Sequence, residues 1–148
     1  MKKNEPTVSL SITAKNSAEA LDFYTKAFGA EELYRMTTPD GGVAHAEFMI
    51  GNTRIYLSDE SPEWHAVAMP EGGQASCLFA IHTNDCDASF ERAKSAGGEA
   101  LKAPEDQFWG MRTAMIKDPF GYRWSFGQIV EELSPEEGEQ RAKAIYAA

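Results

Sequence analysis

Hydrophobic and polar positions alternate with period two in four short stretches, and successive strand side chains point to opposite faces. In SLSIT, from Ser9, the apolar set is Leu10 and Ile12, continuing back to Val8. In TRIYL, from Thr53, it is Ile55 and Leu57; in CLFAI, from Cys77, it is Phe79 and Ile81. YRWSF, from Tyr122, places Trp124 and Phe126 with the apolar set and Arg123 and Ser125 on the other face. A one-residue slip would turn every side chain over, and the shared apolar layer fixes the register. The inward, more polar face then carries Ser9, Ser11 and Thr13; Arg54, Tyr56 and Ser58; Leu78, Ala80 and His82; Arg123 and Ser125.

The same order of elements occurs twice. SLSITAKNSAEALDFYTKAFGAEEL, from Ser9, has the pattern of CLFAIHTNDCDASFERAKSAGGEAL, from Cys77: a strand, a polar turn, a helix, a glycine, then Glu and Leu. Gly29 and Gly97 stand where a left-handed residue would close each helix. Each half continues into a hairpin region, HAEFMIGNTRIYLSD and TAMIKDPFGYRWSFG, with turn residues Gly51-Asn52 and Asp118-Pro119-Phe120-Gly121. The pattern predicts an α+β fold of two tandem β-α-β-β-β modules within a single domain of residues 1–148, about 7–59 and 75–127. A connecting loop over 60–74 carries Pro and Gly. Ser134-Pro135-Glu136-Glu137 predicts a capped helix over about 134–146. Its apolar stripe of Ala142, Ile145 and Tyr146 is narrow and suits packing on its own domain or on a second chain.

Composition narrows the function. With 23 Asp and Glu against 14 Lys and Arg in 148 residues, the net charge of −9 repels nucleic-acid phosphates and anionic membranes. No apolar run nears the roughly 20 residues that span a bilayer, and MKKNEPTVSL lacks a signal-peptide core, so a cytoplasmic location is expected. Cys77 and Cys86 lack the spacing of a zinc or redox motif and read as small packing residues.

The doubled module, the LDFYTKAFG helix and the DPFGYRW turn and strand together resemble the glyoxalase, bleomycin-resistance and extradiol-dioxygenase superfamily, the vicinal oxygen chelate fold. PEDQFWG, DPFGYRW and EELSPEE are most similar to its glyoxalase-like branch named for a bacterial phosphonate-operon protein. The resemblance implies a mixed sheet curled around a cavity, and a homodimer. In members that use a metal, it implies ligands on the first and fourth strands of both modules. Those positions map here to Ser9, Tyr56, Leu78 and Ser125, none of them a usual divalent-metal ligand, so no metal or other cofactor is expected.

Several polar residues remain as candidates. His82, at a strand end, is the candidate base, or it caps the turn at Thr83-Asn84-Asp85. Glu47 is a second candidate base and Tyr56 a hydrogen-bond donor to substrate. His45 and Glu47 share a strand face and suit a hydrogen-bonded pair better than a two-ligand metal site. Arg54 and Arg123 occupy equivalent places; either they hold an anionic group between them, or, as the simpler expectation, they pair with surface carboxylates. Trp109, in Phe108-Trp109-Gly110, stacks on a flat or cationic ligand or closes the end of the fold.

The expected binding set is therefore Ser9, Ser11, Arg54, Tyr56, Leu78, His82, Trp109, Arg123 and Ser125. The leading expectation is metal-independent binding of a small aromatic or cationic molecule. A glyoxalase-like lyase or isomerase is the alternative, with His82, Tyr56 and Glu47 carrying the chemistry. A ring-cleaving dioxygenase is the least expected, because its two-histidine, one-carboxylate iron site cannot be assembled from these residues.

Overall fold

Side-chain caps set where the helices begin. In the computed structural model, which describes residues 5–147, Asn16 Oδ1 accepts from the Glu19 amide to start helix α1 (Ser17–Phe28). Asp85 Oδ1 accepts from Ala88 to start α2 (Cys86–Ser95), and a full capping box of Ser134 and Glu137 opens α3 (Pro135–Tyr146). Each such acceptor satisfies an amide that the helix itself leaves unpaired. Gly29 ends α1 at φ 69°, a left-handed conformation that costs glycine little. The second helix also closes on its glycine: after Ala96, Gly97 takes φ 119°, its amide donates to the Lys94 carbonyl at 3.1 Å, and that of Gly98 donates to the Ala93 carbonyl at 3.0 Å.

Among the described residues there are eight strands, in chain order β1 (Leu10–Ala14), β2 (Glu31–Thr37), β3 (Val43–Ile50), β4 (Thr53–Asp59), β5 (Leu78–His82), β6 (Glu99–Asp106), β7 (Met111–Lys117) and β8 (Arg123–Ile129). They form two four-stranded sheets, ordered β1-β4-β3-β2 and β5-β8-β7-β6, each with one parallel pair and two antiparallel pairs. In each sheet the first strand leads through the helix to the far edge strand, and two antiparallel steps bring the last strand back parallel to the first, which gives two β-α-β-β-β modules. By internal contacts, residues up to Gln74 group with Pro119–Gly121, and Ala75–Asp118 with the chain from Tyr122 onward.

In the first unit α1 packs on one face of the sheet, where Ile12, Phe48, Ile55 and Leu57 are buried with Leu21, Tyr24 and Ala27 of the helix. The Tyr24 ring stacks on Phe48 at 5.4 Å, and Phe120 of the grouped turn sets its ring edge-on to Phe23 at 6.4 Å. In the second unit α2 buries Cys86, Phe90 and Ala93 against Ala114, Ile116, Trp124 and Phe126. Trp124 stacks on Phe79 at 4.6 Å.

The alternation therefore holds along β4 and β8. It fails at the start of β1, where Val8 precedes the strand at 77% exposed and Leu10 is 42% exposed. Both were expected under the helix. Helix α1 packs against β1, and burial along that strand begins at Ile12.

Candidate functional site

On the face of the first sheet away from α1, register brings polar side chains into rows. Ser11 is opposite Tyr56, Tyr56 opposite Glu47, and Glu47 opposite Tyr34, one row across all four strands. Directly opposed residues share a face, so these four side chains stand beside one another. Met36 is opposite His45 and Met49 opposite Arg54, flanking that row.

The row is tied together by charge. Glu47 Oε1 is 3.1 Å from His45 Nε2, and Arg54 Nη1 donates to Glu47 Oε2 at 3.5 Å and to Glu5 Oε2 at 3.3 Å. The His45 ring meets Tyr56 edge-on, centroids 5.0 Å apart. The Glu47 side chain is 23% exposed, partly withdrawn from solvent yet reachable. The expected hydrogen-bonded pair of His45 and Glu47 is thus present, and Arg54 bonds carboxylates, as the simpler expectation had it. Ser9 falls outside β1 and is exposed.

The second sheet's open face carries the remaining candidates. Leu78 is opposite Arg123, Ala80 opposite Ser125, and His82 opposite Gly127. Gly127 leaves room that the Met111 thioether fills, since a Cβ there would lie 2.6 Å from Met111 Cε. His82 is exposed, and the turn after it is held by other groups: Thr83 Oγ1 accepts from the Asp85 amide and bonds Ser89 Oγ at 2.8 Å. Arg123 Nη2 donates to the Ser76 carbonyl at 3.3 Å. Trp109 is half-exposed in the β6–β7 connection, perpendicular to Phe108, whose own ring meets Tyr146 of α3 at 6.0 Å. That packing favours the loop-closing reading of these aromatics. Of the two cysteines, Cys86 is buried, which pushes its thiol above the ordinary range, and Cys77 is exposed.

Sequence reasoning missed Tyr34, Met36, Met49 and Lys117. Their strands are edge strands or paired through bulges, and only the cross-strand register shows which residues they stand beside. Among the described residues no group of three or more His, Cys, Asp or Glu side chains is arranged to hold a metal ion. At the mapped family positions, serine, tyrosine and leucine do not fit a divalent metal.

Residues 7–126 match the model of the glyoxalase/bleomycin resistance protein/dioxygenase superfamily. The chain belongs to that superfamily. It is 38% identical over 136 residues to an uncharacterized protein of Mycobacterium bovis, covering 90% of each chain. Among solved structures it resembles TioX from Micromonospora, with 22% identity and a TM-score of 0.67 over 84% of this chain and 99% of that one. It likewise resembles a glyoxalase/bleomycin resistance protein/dioxygenase from Nocardioides, with 23% identity and a TM-score of 0.67 over 91% of both chains. Likenesses at this identity speak for the fold alone, which hosts several chemistries.

Proposed function

We propose that this protein binds a small organic molecule, aromatic or cationic, without a metal, on the open face of the first unit's sheet. The observation that carries this reading is the row Ser11, Tyr56, Glu47 and Tyr34, with Glu47 fixed by His45 and Arg54. A carboxylate held in place between two tyrosines offers charge to a cation and ring faces to a flat molecule. Met36 adds a polarizable, adaptable surface beside it. The net charge of −9 favours approach of cations over anions. Within the superfamily we place the chain in the phosphonate-operon-type glyoxalase-like branch, as a cytoplasmic homodimer, on its PEDQFWG, DPFGYRW and EELSPEE segments.

Fluorescence titration with ethidium, a planar aromatic cation, and with anilinonaphthalene sulfonate, an aromatic anion, tests the reading. Ethidium is expected to bind the wild type and to bind Glu47→Gln and Tyr56→Ala about tenfold more weakly, as loss of a half-buried charge or stacking contact implies. Equal binding of both dyes, or of ethidium to all three proteins, overturns it.

One observation favours a second reading, a glyoxalase-like lyase or isomerase. His45 and Glu47 form a bonded pair beside the Tyr56 ring, which supplies a base and a hydroxyl on one surface. In such an isomerisation the base would take a proton from the carbon beside a carbonyl and return it to the neighbouring carbon. The tyrosine hydroxyl would donate a hydrogen bond to the developing oxyanion. Turnover of a 2-oxoaldehyde thiol adduct that Tyr56→Phe abolishes would support it.

A further inference from the structure

The second unit holds a charged row that the ligand site just described does not use. Leu78, Arg123, Lys117 and Glu99 are successive cross-strand partners on β5, β8, β7 and β6, so their side chains stand side by side on the open face. Arg123 and Lys117 are therefore like charges directly opposite one another, which weakens a sheet unless a counter-charge lies between them. The counter-charge supplied by the chain is thin. Lys117 reaches Glu99 at 3.5 Å, and that glutamate side chain is 64% exposed while Lys117 is only 18% exposed. Arg123 meets no carboxylate among the described residues and has only the Ser76 carbonyl, through Nη2.

A second observation points to the same place. Nε of Arg123 is buried and has no hydrogen-bond partner among the described residues. Buried donors in native proteins are nearly always satisfied, by protein, water or ligand, and one on a charged guanidinium is among the costliest to leave unmade. The open partner here is an acceptor, and the two cations require it to be negative.

We infer that Arg123 and Lys117 form a binding site for a small oxyanion, the carboxylate or phosphate group of a small molecule. The guanidinium supplies a planar donor edge through Nε, and Lys117, its cross-strand neighbour, adds a second positive charge on the same face. This site lies in the other unit from Glu47 and attracts the opposite charge, so it stands apart from the ethidium-binding reading.

The test is a nitrogen–proton correlation experiment tuned to arginine Nε–Hε groups on 15N-labelled full-length protein. Inorganic phosphate and acetate are titrated in turn against sodium chloride at constant ionic strength. Arg123→Lys identifies the resonance, because it keeps the charge and removes Nε. The Arg123 signal is expected to move saturably with phosphate or acetate and not with chloride, with affinity reduced at least fivefold in Lys117→Met. Saturation by acetate alone assigns a carboxylate, by phosphate alone a phosphoryl group. A signal unmoved by either anion, or moving linearly and alike in wild type and Lys117→Met, overturns the inference. The wild-type titration stands even if Lys117→Met folds poorly, and Lys117→Gln then replaces it. Ethidium binding is read separately, so failure at one site does not carry the other.

Discussion

Asp118 shows how one side chain can lock a turn that sequence shows only in outline. Asp-Pro-Phe-Gly announces a turn by residue type, since proline presets φ and glycine accepts left-handed backbone. The sequence does not say that the aspartate is buried. In the structure Asp118 is 2% exposed, and its carboxylate accepts from the Tyr122 amide at 3.0 Å and from the indole Nε1 of Trp124 at 2.8 Å. Trp124 is itself 1% exposed, so removing the acceptor strands a buried N–H. Asp118→Ala should cost about 1–3 kcal/mol in urea unfolding, the usual penalty for an unmet buried donor. Asp118→Asn, which keeps one amide oxygen, should cost less. Equal losses in the two variants would show that the carboxylate's charge, rather than its acceptor, holds the turn. The site residues divide in the same way. Tyr56 and Ser125 could be placed inward from alternation alone, but that Tyr56 stands between Ser11 and Glu47 follows only from pairing.

At the scale of elements, the start of α3 was legible because Ser134 is a capping residue followed by proline and, three residues on, Glu137, whereas the caps at Asn16 and Asp85 lie inside polar turns whose residues do not single them out. Strand partners were not legible either, since β2 and β6 expose most of their residues and carry no buried stripe to fix their faces. The narrow apolar stripe of α3 suits either its own domain or a second chain. The helix buries no residue fully, and what ties it down is Arg141, which grips both oxygens of Glu131 at 2.7 and 2.8 Å and donates to the Phe108 carbonyl at 3.1 Å. The guanidinium holds the Glu131 carboxyl below its usual pKa. A carboxyl whose pKa is lowered on folding contributes above its unfolded value and loses that contribution as pH falls through the folded one. The clasp should therefore hold at neutral pH and open on acidification below the ordinary carboxylate range. Protection factors over Ala142–Tyr146, corrected for intrinsic exchange at each pH, should fall in Arg141→Ala at pH 7, and in the wild type at acidic pH, while β7 and β8 stay protected. Unchanged exchange in the variant would show that the Phe108 and Tyr146 ring contact suffices.

For the whole molecule, the duplicated pattern was readable because both halves obey one set of constraints. In each, a side chain from the last strand of the module accepts from the first amide of the helix: Asp59 from Ser17 at 2.8 Å, Gln128 from Cys86 at 3.0 Å. The halves diverge on their open faces, one centred on Glu47 with two tyrosines, the other on Arg123 and Lys117. Divergence of this kind leaves strand spacing intact, so the repeat predicts where a site would be without predicting its chemistry. The metal question belongs at this scale, because metal-using relatives draw ligands from both modules. Here the equivalent positions are Ser9, Tyr56, Leu78 and Ser125, and Ser9 lies outside its strand. Protein-bound zinc commonly takes three or four His, Cys, Asp or Glu ligands. His45 and Glu47 supply two, already bonded to each other. Elemental analysis of tag-free protein purified without chelators should therefore find zinc, nickel, iron and manganese each far below one equivalent per chain. His45→Ala and Glu47→Ala should leave those contents unchanged. Stoichiometric metal that either variant removes would move the reactive centre onto β3, with the third ligand to be sought by extending the substitutions to His82.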